Sequence, residues 1–343
     1  MILNFFFFPF IIFLIIYFIF KDKKFLKDDI NYSSHKILGS ENKSPIILGG
    51  LYISITVFVF YPITSLYLNM ALIIITFLGL LADKNILTSP KSRLIAQLII
   101  LLLFVYLENL EVNDLRYEKL NILLSNDYFN LFFTVFCLAI LLNGSNFLDG
   151  LNGLISGYYL IVLVSLLILE NLYGKSLSID QNFLYLILSV LVIFFIFNIF
   201  GLVYLGDSGS YAVALLIGSY LIEFNLSSDL ISPYYVAVML WYPAFENLFS
   251  LLRRFFGKRA VSNADNYHLH QLFFLFIKSK RIFSNKLINS FSSLIILLIN
   301  IPGLIIASFY ATKSSVLIFI LLLNILFYLL FYYIFFQNLY VKK

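Results

Sequence analysis

Apolar stretches long enough to cross a bilayer recur along the whole chain, and few solutions accommodate them. A spanning helix needs about 20 mostly apolar residues. Eleven candidate spans can be drawn, at roughly 2–20, 46–64, 67–82, 93–108, 128–143, 152–170, 182–200, 208–224, 232–252, 287–309 and 315–338. The expected fold is an all-α polytopic integral membrane protein, with residues 1–343 as a single transmembrane domain. Composition closes the alternative: 62% of the 343 residues are hydrophobic and 12% charged, whereas soluble domains run near half and about a quarter. The N-terminal apolar run is long and aromatic, and its lysines follow it, so it reads as a retained helix rather than a cleaved leader. Cys137 is the single cysteine, which excludes an internal disulfide or a cysteine cluster.

Lysine and arginine positions test the count. With residue 1 outside and sides alternating, the inside segments carry 19 of the 23 basic residues and the outside segments the other 4 (Arg116, Lys119, Lys175 and Lys313). That bias is what the positive-inside rule requires, and it places the C-terminus in the cytoplasm. The net charge of +5 is thus accounted for by membrane topology, and no nucleic-acid partner is called for. Between the fourth and fifth spans, "ENLEVNDLRYEKLNILLSND" mixes apolar and charged residues, as a short amphipathic helix or hairpin would.

Polar groups interrupt the spans at their ends. Asp83 closes the third; "NGSNFLDGLNGL" (143–154) follows the fifth; "GDSGS" (206–210) opens the eighth; "NADNYHLHQ" (263–271) lies in the basic loop after the ninth. Alternating helices bring all four to one membrane face. Each alone has an ordinary reading: Asp207 and Ser208 as an N-cap, Asn152 and Gly153 as a turn, Asp83 as a solvated helix end, His268 and His270 as surface residues. Together they mean more. Asn143, Asn146 and Asp149 fall on one arc of a helix, and acidic groups at a bilayer rim are costly unless they serve a site. Asp83, Asp149 and Asp207 with amides form a hard oxygen-rich set suited to Mg²⁺. Mg²⁺ beside Lys, Arg and His suits a diphosphate.

These segments also resemble known motifs. "NGSNFLDGLNGL" is similar to the N-x-x-N-x-x-D-G-x-[DN]-G-L signature of the polyprenyl-phosphate N-acetylhexosamine-1-phosphate transferases, of the glycosyltransferase family 4 type. "GLLADKNILTSPKSRLIAQ" resembles that family's acidic segment and S-P-K-x-R-L-x-x-Q element. "YLGDSGS" resembles G-D-x-G-S, "KSPIILGG" the P-x-x-G-G turn, and "RRFFGKRAVSNADNYHLHQLFF" the basic loop ending in H-[IL]-H-H. The elements occur in the family's order over residues 43–275.

The resemblance implies transfer of an N-acetylhexosamine-1-phosphate from a UDP-sugar to undecaprenyl or another polyprenyl phosphate, with release of UMP, at the cytoplasmic face of a bacterial inner membrane. It implies Mg²⁺, with Mn²⁺ as a substitute. It gives Asp207 as metal ligand, with Asn146 and Asp149 as candidate co-ligands. Asp83 would position or deprotonate the lipid phosphate. Catalytic roles fall on Asp83, Asp149, Asp207 and His268, and substrate contacts on Asn143, Asn146, Asn152, Lys91, Arg93, Arg253, Arg254, His270, Gly49 and Gly50. Homodimerisation is compatible with all of this. The chain departs from the family in Ala82, where an aspartate is frequent, and in His270-Gln271, where two histidines are usual. The donor expected is UDP-GlcNAc or a 6-deoxy relative, for O-antigen, teichoic acid or a similar surface glycan. The alternatives are a phospho-MurNAc-pentapeptide translocase, a lipid or solute transporter, and a non-catalytic subunit of a glycan-assembly complex.

Overall fold

A computed structural model describes residues 2–23, 26, 46–60, 66–174, 177, 180–257, 267–281 and 285–341. Pro45 of the P-x-x-G-G turn and most of the basic loop (258–266) lie outside these residues. The described chain is helical except for two two-residue strands: α1 (Ile2–Phe20), β1 (Ile46–Ile47), α2 (Gly49–Phe60), α3 (Leu66–Asp83), α4 (Pro90–Glu108), α5 (Glu118–Leu124), α6 (Asp127–Leu148), α7 (Leu154–Tyr173), α8 (Gln181–Ile199), β2 (Val203–Tyr204), α9 (Gly206–Leu226), α10 (Pro233–Met239), α11 (Trp241–Phe256), α12 (Leu269–Ser279), α13 (Asn285–Phe309) and α14 (Ser314–Phe336).

Eight of these helices are long and apolar enough to cross a membrane, among the described residues, and α10 with α11 makes a ninth if the bent pair is one span. The other two expected spans correspond to shorter apolar helices, Phe5–Phe20 within α1 and α2 at Gly49–Phe60. The expected straight span over 232–252 is instead broken. The chain turns by 73° between α10 and α11. Pro243 sits in the first turn of α11, where a missing N–H costs nothing because that turn has no acceptor for it. The segment between α4 and α6 holds the short helix α5.

The centre of the fold is α9. Nearly every residue from Gly206 to Phe224 is buried, whatever its polarity. A helix apolar all round belongs in the interior, and this one is surrounded by α2, α3 and α6. Small residues permit the approach, as in other membrane helix pairs. A methyl group added to Gly79 of α3 would lie 2.3 Å from Ser208 Cα, and one added to Gly50 of α2 would lie 2.6 Å from Ser208 Cβ. Gly49 meets Leu205 in the same way. The parallel pairing of Ile46 with Val203 and Ile47 with Tyr204 brings β1 and β2 together, so the chain entering α2 and the chain entering α9 run side by side. On the far side, Gly144 of α6 lies against the Pro243 carbonyl, 1.9 Å from where a Cβ would stand.

The helix ends sort into two sets, as alternation requires. At one end Asp83 of α3 meets the start of α9. At the other, Glu108 at the end of α4 accepts from the Leu68 N–H at the start of α3 (3.2 Å). Gly79→Ala is expected to lower stability by about 1–3 kcal/mol through overpacking, and Gly144→Ala by at least as much, because both face rigid backbone. Thermal unfolding in detergent micelles measures both, with Ile86→Ala at an exposed site (65% exposed) as the unperturbed control.

Candidate active site

The first turn of α9 presents N–H groups that no residue of the same helix can satisfy. Its own N-cap position, Leu205, offers no side-chain acceptor. Asp83, arriving from the end of α3, does so instead. Its Oδ1 accepts from the Asp207 N–H (2.7 Å) and its Oδ2 from the Ser208 N–H (3.1 Å). Gly206 makes room with φ +72°, a conformation that a side chain resists. A Cβ there would lie 2.7 Å from Asp83 Oδ2. The ordinary reading of Asp207 and Ser208 as self-capping is therefore replaced by a cap that spans the fold.

Asp207 turns its carboxylate to α4. Arg93 Nη1 donates to Oδ2 at 2.9 Å, with the aspartate side chain 4% exposed and the arginine 27%. The S-P-K-x-R-L-x-x-Q spacing follows from helix geometry. Ser89 accepts from Ser92 N–H as N-cap and Pro90 takes the first helical position. Arg93 and Gln97, four apart, then share a face. Gln97 Oε1 accepts from Asn143 Nδ2 of α6 (2.9 Å). One turn on, Asn146 Nδ2 donates to Ser210 Oγ (3.2 Å), which donates to the Asp207 carbonyl (3.1 Å). Asp83, Arg93, Asn146 and Asp207 thus form one connected polar group built from α3, α4, α6 and α9, and the Asn143–Gln97 pair lies one turn away along α4 and α6. Lys91 lies exposed two residues before Arg93, on a different face of α4.

Several expected members stand elsewhere. Asp149 does not complete the arc, because α6 ends at Leu148 and Asp149 takes φ −76°, ψ 48° as its C-cap. Among the described residues no three Asp, Glu, His or Cys side chains are grouped as metal ligands, so the expected three-carboxylate cluster is not formed. Asn152 belongs to a braced turn: its N–H donates to Asn289 Oδ1 (2.7 Å) while Gly153 N–H donates to Asn198 Oδ1 (2.6 Å). Gly49 and Gly50 are closely packed against Leu205 and Ser208. Ala82 is buried, where an aspartate would need its own partner.

A second polar group lies on the other flank of α6. His268, placed just before α12, directs Nδ1 to Glu246 Oε1 of α11 (2.9 Å). Its ring packs against Phe147 with centroids 4.9 Å apart, and the Arg254 guanidinium lies over the same Phe147 at 5.6 Å. Arg253 instead braces the protein: Nη1 donates to the Tyr267 carbonyl (2.6 Å) and to Tyr332 Oη (3.2 Å). His270 is fully buried with neither ring nitrogen partnered, which removes it from the surface role expected of it. Burial pushes its imidazole down from 6.5 to about 3, with Glu246 opposing and His268 assisting. Glu246 was missed by sequence reasoning, although a carboxylate inside "WYPAFENLF" was a visible signal.

Asp83, Asp207, Asn146 and the partnerless Ser208 Oγ are hard oxygen donors. Mg²⁺ is ordinarily held by one or two carboxylates and completed by water and substrate phosphates, so the residues present fit an ion of that kind and not a closed protein cage.

Residues 65–225 match the profile described as "Glycosyl transferase family 4". That span takes in Asp83, Arg93, Asn146 and Asp207, so the part of the chain that resembles this family holds the polar group at the start of α9. The chain is also 26% identical over 250 residues to a Bacillus subtilis (strain 168) protein named "Probable undecaprenyl-phosphate N-acetylglucosaminyl 1-phosphate transferase", covering 68% of this chain and 67% of that protein.

Asp83→Ala removes an ionised acceptor from two backbone donors. A loss of about 2–4 kcal/mol is expected, read as a lower unfolding temperature in detergent, with Asp83→Asn intermediate. The His270 shift has a definite sign. Between about 3 and 6.5 the unfolded chain binds the proton and the folded protein does not. This contribution to stability is therefore intact above 6.5 and is lost on acidification, at up to about 1.4 kcal/mol per pH unit. The slope of stability against pH in that window should be shallower in His270→Leu.

Proposed function

We propose that the protein transfers an N-acetylhexosamine-1-phosphate from a UDP-sugar to a polyprenyl phosphate at the cytoplasmic face of a bacterial inner membrane. The observation that carries this reading is the Asp83–α9–Asp207–Arg93 assembly at one end of a membrane-embedded bundle. It lies within the segment matched by the family profile, and the relative's name supports the same chemistry. The lipid substrate stays in the bilayer and the nucleotide in water, so their phosphates meet at the helix ends.

In the reaction, an oxygen of the lipid phosphate bonds to the β-phosphorus of the UDP-sugar. The bond from that phosphorus to the oxygen bridging the two phosphates breaks, and UMP departs with its electrons. A divalent cation held by Asp207 and Asn146 would neutralise charge on the diphosphate. The chain's own groups do the rest. Arg93, with Lys91 nearby, supplies positive charge to incoming phosphate. Asp83 orients the start of α9; a phosphate monoester is already largely ionised near neutral pH, so orientation matters more than proton removal. Asn143 and Asn146 line the approach to Asp207, and His268 with Arg254 faces the donor from the opposite flank of α6.

The test uses purified protein, polyprenyl phosphate and labelled UDP-N-acetylhexosamines. Mg²⁺-dependent UMP release requiring both substrates is expected, abolished by EDTA. Asp207→Asn should lower turnover by about 10²-fold or more. UMP release that ignores EDTA, or an unimpaired Asp207→Asn, contradicts the role given to Asp207. A panel of UDP-sugars identifies the donor, with UDP-GlcNAc expected to lead.

A further inference from the structure

Glu246 is 0% exposed on α11, and burying a carboxylate costs several kcal/mol unless it is well paired. Its compensation here is incomplete. Oε1 meets His268 Nδ1, while Oε2 makes no well-aligned hydrogen bond although the buried Tyr328 hydroxyl is close to the carboxylate, and Tyr242 Oη and Ser250 Oγ on the same helix are partnerless as well. An apolar side chain of similar volume would serve packing at lower cost.

Everything around His268 points to a fixed ring. Arg253 holds the carbonyl of the preceding residue, Tyr267. The His268 N–H donates to Gln271 Oε1 (3.2 Å) while the Gln271 N–H donates to the His268 carbonyl (3.0 Å), a reciprocal cap on α12. The ring is stacked on His270 (centroids 5.8 Å, 16°) and tilted against Phe147. The backbone is thus set from both sides and the ring plane from two faces. Rotation about the side chain is the remaining freedom, and the Glu246 hydrogen bond removes it. Glu246 is itself held by the bend, since Pro243 three residues earlier abuts Gly144 of α6. α6 therefore carries both Phe147, against which the ring rests, and Asn146, which bonds to the start of α9.

We infer that Glu246 is a positioning residue that clamps His268 through Nδ1 and so aims Nε2 at the nucleotide-sugar diphosphate, where the protonated ring donates Nε2–H to a phosphate oxygen. This rests on the proposed transfer reaction for its purpose, but the clamp itself does not. Carboxylates that orient a working imidazole in this way typically contribute about 10–100-fold in activity.

The chain has three histidines, His35, His268 and His270, so ¹⁵N-histidine NMR of the whole protein in micelles is assignable with His35→Asn and His270→Leu. The expected spectrum shows a proton on His268 Nδ1 and a changed His268 signal in Glu246→Gln. In transfer assays Glu246→Gln should lower kcat about 10-fold or more with little change in KM for the UDP-sugar. In a His268→Asn background the same substitution should change kcat by less than about 2-fold, since residues that act through one another are non-additive. Multiplying effects in the double variant, or a bare Nδ1 on His268, would overturn the inference. Unfolding temperatures of each variant separate a lost clamp from a lost fold. If the wild type transfers no sugar phosphate, the proposed reaction fails, and the NMR result alone decides the clamp.

Discussion

A helix that begins inside a membrane protein has backbone N–H groups with no water to receive them, and each unmet donor there costs several kcal/mol. α9 begins in this way, walled by α2, α3 and α6. Its first turn is satisfied by a carboxylate 124 residues away in sequence. The negative charge is favourable because the helix N-terminus carries partial positive charge. It also explains how a second carboxylate, on Asp207, can be tolerated beside the first: Arg93 offsets it at 2.9 Å. Remove the Asp83 cap and the start of α9, the Asp207 side chain and the Arg93 pairing all lose their reference point.

The same constraint accounts for the glycines. For Asp83 to reach the α9 N–H groups, α3 must come within backbone contact of Ser208, which is the approach Gly79 permits. For α2 to close the other side, Gly49 and Gly50 must fit against Leu205 and Ser208. A motif glycine and a motif carboxylate are then parts of one device, the first setting the distance that the second needs. Gly49 and Gly50, substrate contacts by resemblance, stand where a methyl group would push α9 away.

Helices were legible because bilayer-length apolar runs admit little else. The positions of α3, α4, α6, α7, α8, α9, α13 and α14 fall within a few residues of the expected spans. The i, i+4 pair Arg93 and Gln97 could be read as one face from spacing alone. Other features depend on where the chain stops being periodic. The arc through Asn143, Asn146 and Asp149 assumes a helix that continues, and α6 ends one residue too soon. The break at Leu240 is hidden because α10 and α11 taken together are still apolar enough for one span, despite Glu246, Arg253 and Arg254 on α11, and no proline falls at the break itself. His270 carries the polarity of a surface residue but belongs to the start of α12, where six consecutive residues from Leu269 to Phe274 are buried all round. How deeply the start of a short helix is enclosed is decided by its neighbours, not by its own pattern.

The C-terminal turn of α6 joins what would otherwise be two unrelated polar groups. Asn146 bonds to the first turn of α9, and Phe147, the next residue, packs between the His268 ring and the Arg254 guanidinium. Adjacent residues on a helix point about 100° apart, so a single turn serves both flanks. A diphosphate has charge at two phosphorus centres and requires counter-charge at both. In the proposed reaction Arg93 on one side of α6 and Arg254 on the other would provide it. The carboxylates attend to geometry: Asp83 holds a helix end, Asp207 holds an arginine, and Glu246 holds an imidazole. Acidic residues in such an arrangement need not carry the reacting proton to be indispensable, because each fixes a cationic or N–H group that must already be in place when charge moves across the diphosphate.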